Sequence, residues 1–401
     1  MNWRYQPPAL SPVAPTALLA GFAAAVGCSR ADNQASTDEL RRRYDASDAL
    51  LTDSGTSALV IALRALLPRG GTIAYPAYAC VDLTAAALRA GVSVRLYDLD
   101  PMTLSPDLDS LRKTMKRGVD AILVAHLFGY PADVGAVKDV AEERGIPVIE
   151  DAAQAAGGTL RGTRLGALAD ISILSFGRGK GTTAGSGGAL LARGAGHAEL
   201  TRALSTRLDD GSPGAREVVA LAAQWLLARS ELYRLPASIP ALKLGEMIFR
   251  AASEPRSMSA AAAAILPFAL RMEEQELSHR RARAKELLAM LRQTSGRLAP
   301  VHSVPGGEAG FLRLAFLDTI GDIRPNESVG AMRGYPLTLD QHKQLRPILA
   351  AGESAGAGAQ RLRDRLFTAP THSRVSAADV GRFHQWLATS DSSVRLEAFA
   401  T

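Results

Sequence analysis

Apolar runs and amphipathic stretches alternate through the first half of the chain. The apolar runs have the length of strands and lie at residues 71–75, 92–97, 120–126, 147–150 and 171–176. Most of them are separated by helical patterns such as residues 81–90 and 134–144. Alternation of this kind predicts an α/β fold in which a mainly parallel sheet is covered by helices on both faces.

The segment before this alternation contains start signals for two helices. Residues 36–39 read Ser-Thr-Asp-Glu, which is the spacing of a capping box and predicts a helix that begins there and ends near Tyr44. A short strand is predicted at residues 49–52, followed by the turn Ser-Gly-Thr-Ser at residues 54–57. The next helix is apolar nearly all round, so we expect it to be buried.

An apolar stretch near the N-terminus, residues 15–27, precedes Cys28 and thereby resembles a lipoprotein export signal. Only one basic residue, Arg4, lies before it, prolines interrupt the region, and the run is too short to span a bilayer. We therefore predict an amphipathic or buried N-terminal helix. The other cysteine, Cys80, is far from Cys28, so neither a disulfide framework nor a zinc site is indicated, and a cytoplasmic protein is expected.

After residue 192 the pattern changes from short alternating elements to long helices. The predicted elements are helices at 215–230, 259–292 (one helix or two) and 377–387, a strand near 311–316, and a loop at 350–359. A Pro-rich break at residues 235–242 marks the approach to a second domain. We predict a large domain of residues 1–245 and a smaller α+β domain of residues 246–401.

The composition provides enough apolar material for two cores. The chain has 401 residues, and 47% of them are hydrophobic. Its net charge of +6 is diffuse, since acidic and basic residues are interspersed, and no basic run carries the interleaved aromatic residues typical of nucleic-acid binding. We therefore expect neither a nucleic-acid nor a membrane partner.

Residues 148–189 combine an acid and an amine at the ends of two predicted buried strands. Glu150 and Asp151 end the first strand, and the second apolar run, residues 171–176, delivers Ser175 before a loop of glycines and threonines that contains Lys180. A lysine on such a loop can form a Schiff base and an aspartate can hold a pyridinium proton, which are the two partners that pyridoxal phosphate needs. The alternative is that Asp151 only caps the following helix and Lys180 is a solvated loop residue.

The turn at residues 54–57 offers backbone N–H groups and hydroxyls at the start of a helix, where the phosphate of such a cofactor would fit. Ordinary helix capping by Ser54 or Thr56 is the alternative. In a parallel sheet, ligands bind beyond the carboxyl ends of the strands. One crevice could therefore collect the residues at four predicted strand ends, namely Tyr78, His126, Asp151 and Ser175.

Several segments resemble the DegT/DnrJ/EryC1/StrS family of sugar aminotransferases, which have fold type I. The matching motifs are EDAAQA and SFGRGKGTTAGSGG, preceded in the family's order by SGTSALVIALRALL, AYPAYAC, DLDPMTLSPD and VAHLFGYPAD. The resemblance implies a pyridoxal-phosphate-dependent aminotransferase with a mainly parallel seven-stranded sheet in its large domain. It also implies a homodimer with its sites at the interface, and transfer of an amino group from glutamate to a keto group of a nucleotide-linked sugar or similar intermediate.

Carried over residue by residue, the resemblance makes Lys180 the catalytic residue, which forms the Schiff base and moves the proton between substrate carbon and cofactor. Asp151 would keep the ring nitrogen protonated, and Gln154 would lie near the ring hydroxyl. The other cofactor-binding residues that it implies are Thr56, Ser57 and Ser175 at the phosphate and Tyr78 at the ring. His126 either contacts the substrate or is a structural residue.

The sequence departs from the family pattern at three positions. Cys80 stands where the family has a bulky aromatic residue on the cofactor ring, Ser186 replaces the glutamate of a GEGG motif, and Pro255 begins a segment where the family has Asn-x-Arg. These differences leave open a transaminase of a non-sugar ketone or aldehyde, and a non-catalytic homologue with a regulatory role. Retention of Lys180 and Asp151 counts against the non-catalytic alternative. Lys180 also favours amino transfer over dehydration, because sugar dehydratases of this family lack the lysine.

Overall fold

The computed structural model describes residues 5–29, 32–194, 197, 208–239, 248–294 and 296–397. Two helices precede the main sheet, α1 (Pro15–Ala25) and α2 (Asn33–Tyr44). The predicted start of α2 is wrong, because Asp32 accepts a hydrogen bond from the Ala35 N–H and caps the helix before the predicted capping box. Its predicted end near Tyr44 is confirmed.

One seven-stranded sheet organises the first half of the chain. The strands of this half are β1 (Asp48–Thr52), β2 (Thr72–Pro76), β3 (Ser93–Tyr97), β4 (Ala121–Ala125), β5 (Val148–Asp151), β6 (Thr159–Leu160), β7 (Thr163–Arg164), β8 (Ile171–Ser175) and β9 (Gly188–Ala192). The sheet has the order β1-β9-β8-β5-β4-β2-β3. Pairing is parallel from β8 to β3, and β9 is antiparallel to both β1 and β8. The predicted mainly parallel α/β fold is confirmed.

Helices connect the strands of this sheet. They are α3 (Gly55–Leu66), α4 (Asp82–Ala90), α5 (Leu108–Lys116) and α6 (Val134–Glu142). Strand β4 reads Ala-Ile-Leu-Val-Ala and is buried throughout, because a parallel strand covered on both faces has no side that meets solvent. Residues 57–63 of α3 are also all buried, as the apolar sequence of this helix predicts.

The second half of the chain forms a smaller antiparallel sheet and five helices within its described residues. The helices are α7 (Ala215–Leu227), α8 (Arg234–Ala237), α9 (Ala260–Leu291), α10 (Ala357–Arg365) and α11 (Ala377–Glu397). The strands β10 (Leu298–Pro300), β12 (Arg313–Asp318), β13 (Met332–Arg333) and β14 (Leu366–Pro370) pair in the order β10-β12-β14-β13. Strand β11 (Gly307–Glu308) pairs with β6 of the first half. The predicted α+β character of this part is confirmed.

Some bounds in the second half differ from the predicted ones. Residues 259–292 contain a single helix, α9, although Pro267 lies inside it and removes one backbone donor. Helix α11 extends beyond the predicted end at residue 387, and α10 begins inside the predicted loop at residues 350–359. The predicted Pro-rich break contains the short helix α8, and its residues 240–242 lie outside the described chain.

Helix α9 connects the two sheets. Its first part, with Ile265 and Leu266, packs into a core with α1 and the large sheet, whereas Ala284 and Leu287 pack against the antiparallel sheet. Gly21 of α1 lies so close to α9 that a Cβ atom there would be 2.6 Å from Ile265 Cδ1. The N-terminal helix is therefore present and partly buried, as predicted.

Candidate active site

A cleft lies beyond the carboxyl ends of β5 and β8, the edge at which parallel sheets bind ligands. It is lined by Gly55, Thr56, Leu59, Cys80, Asp82, Leu83, Asp151, Ala153, Gln154, Ile173, Ser175 and Lys180. Of the predicted site residues, the cleft brings together Thr56, Asp151, Gln154, Ser175 and Lys180. Three others are buried and do not line it, namely Ser57, Tyr78 and His126.

Asp151 ends β5 and is half-buried in the cleft. Its Oδ1 accepts a hydrogen bond from the Ala153 N–H at 2.9 Å, whereas Oδ2 has no hydrogen-bond donor within the described chain. Burial raises the pKa of the Asp151 carboxyl, and this effect outweighs the Ala153 N–H and the positive charge of Lys180, which lower it. A cation placed beside Oδ2 would therefore stabilise the charged form of Asp151.

The first turn of α3 reaches the same cleft. Strand β1 runs in the same direction as β8, because both are antiparallel to β9 between them, so β1 delivers the start of α3 next to Ser175. A Cβ atom at Gly55 would lie 2.8 Å from Ser175 Cβ, so this approach requires glycine. N–H groups in a first helical turn have no intrahelical acceptor, and with the hydroxyls of Thr56 and Ser175 they form a donor set suited to a phosphate.

Ser54 provides the cap of α3. Its Oγ accepts a hydrogen bond from the Ser57 N–H at 3.1 Å and lies 2.9 Å from the Ser57 Oγ. Capping and anion binding are therefore compatible here, because Thr56 still lines the cleft. The Ser57 hydroxyl is engaged in the cap, and its contact with a phosphate stays a prediction.

Lys180 lies on the loop between β8 and β9 and extends into the cleft that holds Asp151. The loop is closed at its base by a bridge between Gly177 and Gly185. Gly179 and Gly185 have φ angles of +79° and +88°, a region that favours glycine. The glycines that the sequence places around Lys180 thus allow a tight turn which presents the amine to the carboxylate.

Gln154 is held by a residue from the second half of the chain. Its Nε2 donates to the Tyr335 hydroxyl at 2.6 Å, and its Oε1 accepts from the Phe128 N–H at 3.0 Å. The Tyr335 ring packs against the rings of Tyr78 and Phe128, with centroids 5.1 Å apart in each pair. Sequence reasoning missed Tyr335, because no motif spacing connects it to the distant Gln154.

Tyr78 belongs to this aromatic group and is fully buried. Its hydroxyl oxygen accepts a hydrogen bond from the Tyr335 N–H at 2.6 Å, and burial raises the pKa of Tyr78 above its usual value. The placement makes Tyr78 a support for Tyr335. Its predicted contact with a cofactor ring stays a prediction.

His126 is buried among polar partners. Its Nδ1 accepts from the Ala132 N–H at 3.0 Å, so Nε2 carries the proton that it donates to Glu150 Oε1 at 2.9 Å. Burial raises the pKa of Glu150, but the hydrogen bonds from His126 and the Gly166 and Leu168 N–H groups outweigh it, and the net pKa is lowered. Both His126 nitrogens are engaged by protein atoms, which favours the structural alternative over contact with substrate.

Two of the three positions that depart from the family pattern, Cys80 and the segment that begins at Pro255, lie at or near the cleft. Cys80 lines it, and burial together with the charge of Asp82 raises the pKa of the Cys80 thiol to about 12. The Arg256 carbonyl, in the segment that begins at Pro255, accepts from the Asp53 N–H at 2.9 Å. That segment therefore lies beside the start of α3.

The DegT/DnrJ/EryC1/StrS aminotransferase family matches residues 33–382, a range that includes every residue lining the cleft. The chain belongs to this family. An L-glutamine:2-deoxy-scyllo-inosose aminotransferase from Streptomyces fradiae is 35% identical over 172 residues, which are 41% of this chain and 41% of that protein. The match thus spans less than half the length of this family relative.

Two solved structures resemble this member of the family over nearly the whole chain. The structure of DesI in the presence of its TDP-sugar product has a TM-score of 0.75 at 18% identity and covers 100% of this chain and 96% of that one. The E. coli GDP-4-keto-6-deoxy-D-mannose-3-dehydratase with bound hydrated PLP has a TM-score of 0.73 at 15% identity and covers 96% and 99%. These likenesses show the fold, and they confirm the predicted fold type I architecture.

The described residues show neither a membrane-spanning helix nor a metal-ligand cluster. None of their helices is long and apolar enough to cross a membrane. They contain no group of three or more His, Cys, Asp or Glu side chains that could hold a metal ion. Both cysteines are free, Cys28 exposed and Cys80 partly buried.

Proposed function

We propose that the protein is a pyridoxal-phosphate-dependent aminotransferase. The observation that carries the proposal is the convergence of the Lys180 amine, the Asp151 carboxylate and the first turn of α3 on one cleft. These groups suit the three polar ends of the cofactor, which are its aldehyde, its ring nitrogen and its phosphate. The open oxygen of Asp151, together with the Thr56 and Ser175 hydroxyls beside the first turn of α3, makes the residues that line the cleft a fit for this cofactor.

Five of the residues that line the cleft then have a role. Bound pyridoxal phosphate would supply an aldehyde for the amino group and a ring that withdraws electrons from the reacting carbon. Lys180 Nζ would bind the aldehyde and afterwards accept and return the proton at the reacting carbon. Asp151 would stabilise the protonated ring nitrogen. Thr56 and Ser175 would bind the phosphate, and Gln154 would lie beside the ring.

The proposed reaction moves an amino group from an amino acid to a keto group of a nucleotide-linked sugar or a similar polyol. The donor becomes a 2-oxo acid, and the carbonyl of the acceptor becomes an amine. Support comes from the names of related proteins, one of which acts on 2-deoxy-scyllo-inosose while another was solved with a TDP-sugar product. Glutamate is the donor that the family resemblance implies, and glutamine is the donor in the name of the Streptomyces fradiae relative.

We also propose a cytoplasmic homodimer, with a large domain of residues 1–245 and a small domain of residues 246–401. Apolar side chains on α1 and α7 support a subunit interface, because Leu19, Phe22 and Val219 are all exposed. Sedimentation velocity of the loaded enzyme tests the assembly. An active species with the mass of one chain would contradict the dimer.

Borohydride reduction tests the cofactor assignment. We expect the protein incubated with pyridoxal phosphate to be yellow, to lose this absorbance on reduction, and to carry the cofactor on Lys180 in peptide mass spectrometry. Lys138 of α6, which is also partly exposed, provides a control, and Lys138→Ala should leave the labelling unchanged. Lys180→Ala should keep its fold and non-covalent cofactor binding but lose turnover. A label on another lysine would refute the assignment.

A substrate panel tests the reaction. The protein loaded with the aminated cofactor is offered nucleotide-linked keto sugars, free keto polyols and non-sugar ketones, and products are identified by mass spectrometry. Amination of the non-sugar ketones alone would favour the alternative that the Cys80 and Ser186 positions permit. Failure of the half-reaction with both glutamate and glutamine, despite labelling at Lys180, would favour the non-catalytic alternative.

A further inference from the structure

The N-terminal arm, residues 5–13, contacts the lysine loop, residues 177–187, and does not line the cleft. His372 Nε2 donates to the Pro7 carbonyl at 3.0 Å and fixes the arm to the C-terminal part of the chain. Farther along the arm, Ser11 is buried, with 4% of its surface exposed. The arm is therefore held in place where it meets the lysine loop.

Ser11 contacts the backbone of Lys180 directly. Its Oγ hydrogen-bonds to the Lys180 carbonyl and lies 2.8 Å from the Gly181 carbonyl oxygen, so its single hydrogen is shared between two acceptors. The same Oγ accepts a hydrogen bond from Arg280 Nη2 at 2.9 Å. Arg280 Nη2 also lies 3.0 Å from the Gly181 carbonyl oxygen. Two side chains thus bind two successive carbonyls of the lysine loop.

Arg280 lies on α9, and none of its surface is exposed. Burial lowers the pKa of its guanidinium, although the charges of Glu276 and Glu273 act in the opposite direction. A buried guanidinium is costly unless hydrogen bonds and carboxylates offset its loss of hydration. The shortest hydrogen bonds of Arg280 go to Ser11 and to the Gly181 carbonyl. The buried guanidinium therefore binds the lysine loop both directly and through Ser11.

The loop is also held by a second contact, with Ala156. A Cβ atom at Gly181 would lie 2.5 Å from Ala156 Cα, so the backbone here touches the turn after β5. The peptide planes on both sides of Gly181 are fixed between Ala156 and the Ser11–Arg280 pair. Because the first of these planes contains the Lys180 carbonyl, the backbone from which the lysine side chain starts is held in place.

We propose that Ser11 and Arg280 are positioning residues, which hold the Lys180 backbone so that Nζ reaches the cofactor aldehyde. This inference rests on the function proposed above. Pyridoxal phosphate and pyridoxamine phosphate have the same ring and phosphate, so their binding affinities test this role of the two residues. Pyridoxal phosphate bonds to Lys180, whereas pyridoxamine phosphate cannot, so a misplaced lysine should weaken only the first.

The test compares Ser11→Ala with wild type and with Ser11→Thr, which keeps the hydroxyl. Ser36→Ala is the matched control, because Ser36 is equally buried and its Oγ has no hydrogen-bond partner within the described chain. We expect Ser11→Ala to raise the Kd for pyridoxal phosphate about five- to tenfold, the size of one lost hydrogen bond. Its Kd for pyridoxamine phosphate should change less than about twofold, which is below the effect of one hydrogen bond. Ser11→Thr should restore tight binding of pyridoxal phosphate.

The outcomes separate this inference from the proposed function. An equal rise in the Kd of both ligands would mean that Ser11 only stabilises the fold. An unchanged Kd for both would mean that the Ser11 hydroxyl does not position Lys180. Either result overturns the inference. If borohydride fixes no cofactor to Lys180 in the wild type, the proposed function itself fails. Arg280→Lys provides a second variant, in which a charge is kept but the forked donor is lost, and it should show the same selective weakening.

Discussion

Gln154 Nε2 donates a 2.6 Å hydrogen bond to the Tyr335 hydroxyl. This bond joins the turn after β5 of the large sheet to the segment that follows β13 of the antiparallel sheet. Gln154 lines the cleft, whereas Tyr335 is buried behind it. Burial raises the pKa of Tyr335 well above its usual value, so the hydroxyl stays protonated and acts as a neutral partner. The Gln154 side chain in the cleft is therefore oriented by the C-terminal half of the chain.

Removal of that hydroxyl should disturb the site more than the fold. We expect Tyr335→Phe to lower kcat/KM for amino transfer about three- to tenfold and stability by about 1 kcal/mol, because Gln154 loses one hydrogen-bond acceptor. Tyr97→Phe is the control, since the buried Tyr97 hydroxyl donates to the Leu123 carbonyl at 2.7 Å away from the cleft. It should reduce stability similarly with no change in kcat/KM. Equal kinetics of both variants would mean that Tyr335 does not orient Gln154.

The expectation that Asp151 caps a following helix is wrong, because residues 152–158 contain turns and no helix. Asp151→Asn separates the proposed cofactor role from the role of holding this turn through the Ala153 N–H. Asparagine can still accept the hydrogen bond from the Ala153 N–H, but it cannot supply the negative charge for a protonated ring nitrogen. We expect the half-reaction with glutamate to slow by about two to four orders of magnitude. Near-normal amino transfer would show that Asp151 only stabilises the turn after β5.

The same variant should not lower stability. The raised pKa means that folding disfavours the charged carboxyl, so its contribution is favourable at low pH and is lost as pH rises through the folded pKa. At neutral pH the cofactor-free Asp151→Asn protein should therefore have a Tm equal to or above that of the wild type. Differential scanning calorimetry at pH 7.5 measures this, and a clear fall in Tm would contradict it.

Cys80 should react slowly with alkylating agents. A thiol with a pKa of about 12 has a thiolate fraction of only about 10⁻⁴ at pH 8, and only the thiolate attacks. In a Cys28→Ser variant, which leaves Cys80 as the single thiol, iodoacetamide should react at least about 100-fold more slowly than in Cys80→Ser. The Cys80 rate should rise about tenfold from pH 8 to pH 9, since the thiolate fraction does. Comparable rates in the two variants would contradict the raised pKa.

His372 should make the fold sensitive to acid. Burial lowers the pKa of His372 to about 4, against about 6.5 in an unfolded chain. Between about pH 4 and pH 6.5, the imidazole of His372 is protonated in the unfolded state and neutral in the folded state. The stability that comes from the neutral folded form is therefore present above pH 6.5 and is lost as pH falls towards 4. We expect a loss of about 2 kcal/mol between pH 7 and pH 5 from this group. His372→Gln should flatten the pH dependence of Tm, whereas His384→Gln, at an exposed position, should not.

Local sequence patterns determined much of the fold and part of the site. Apolar runs between turn residues located the strands, and carboxyl ends of parallel strands meet at one edge whatever the details of packing. The sequence could therefore predict that Asp151, Ser175 and Lys180 share a cleft with the turn at residues 54–57. The start of α2 was predicted wrongly, because Asp32 and Ser36 are both good capping residues and lie only about one helical turn apart.

Tertiary structure alone decided which side each strand-end residue faces and which distant residues support the site. Tyr78 and His126 come after the ends of β2 and β4, and Asp151 is the last residue of β5. Successive residues point to opposite sides of a sheet, so position near a strand end does not fix the direction of a side chain. Ser11 and Tyr335 reach the site only because helices and sheets far apart in sequence pack together. Such contacts depend on how whole elements fit, which no local spacing of residues records.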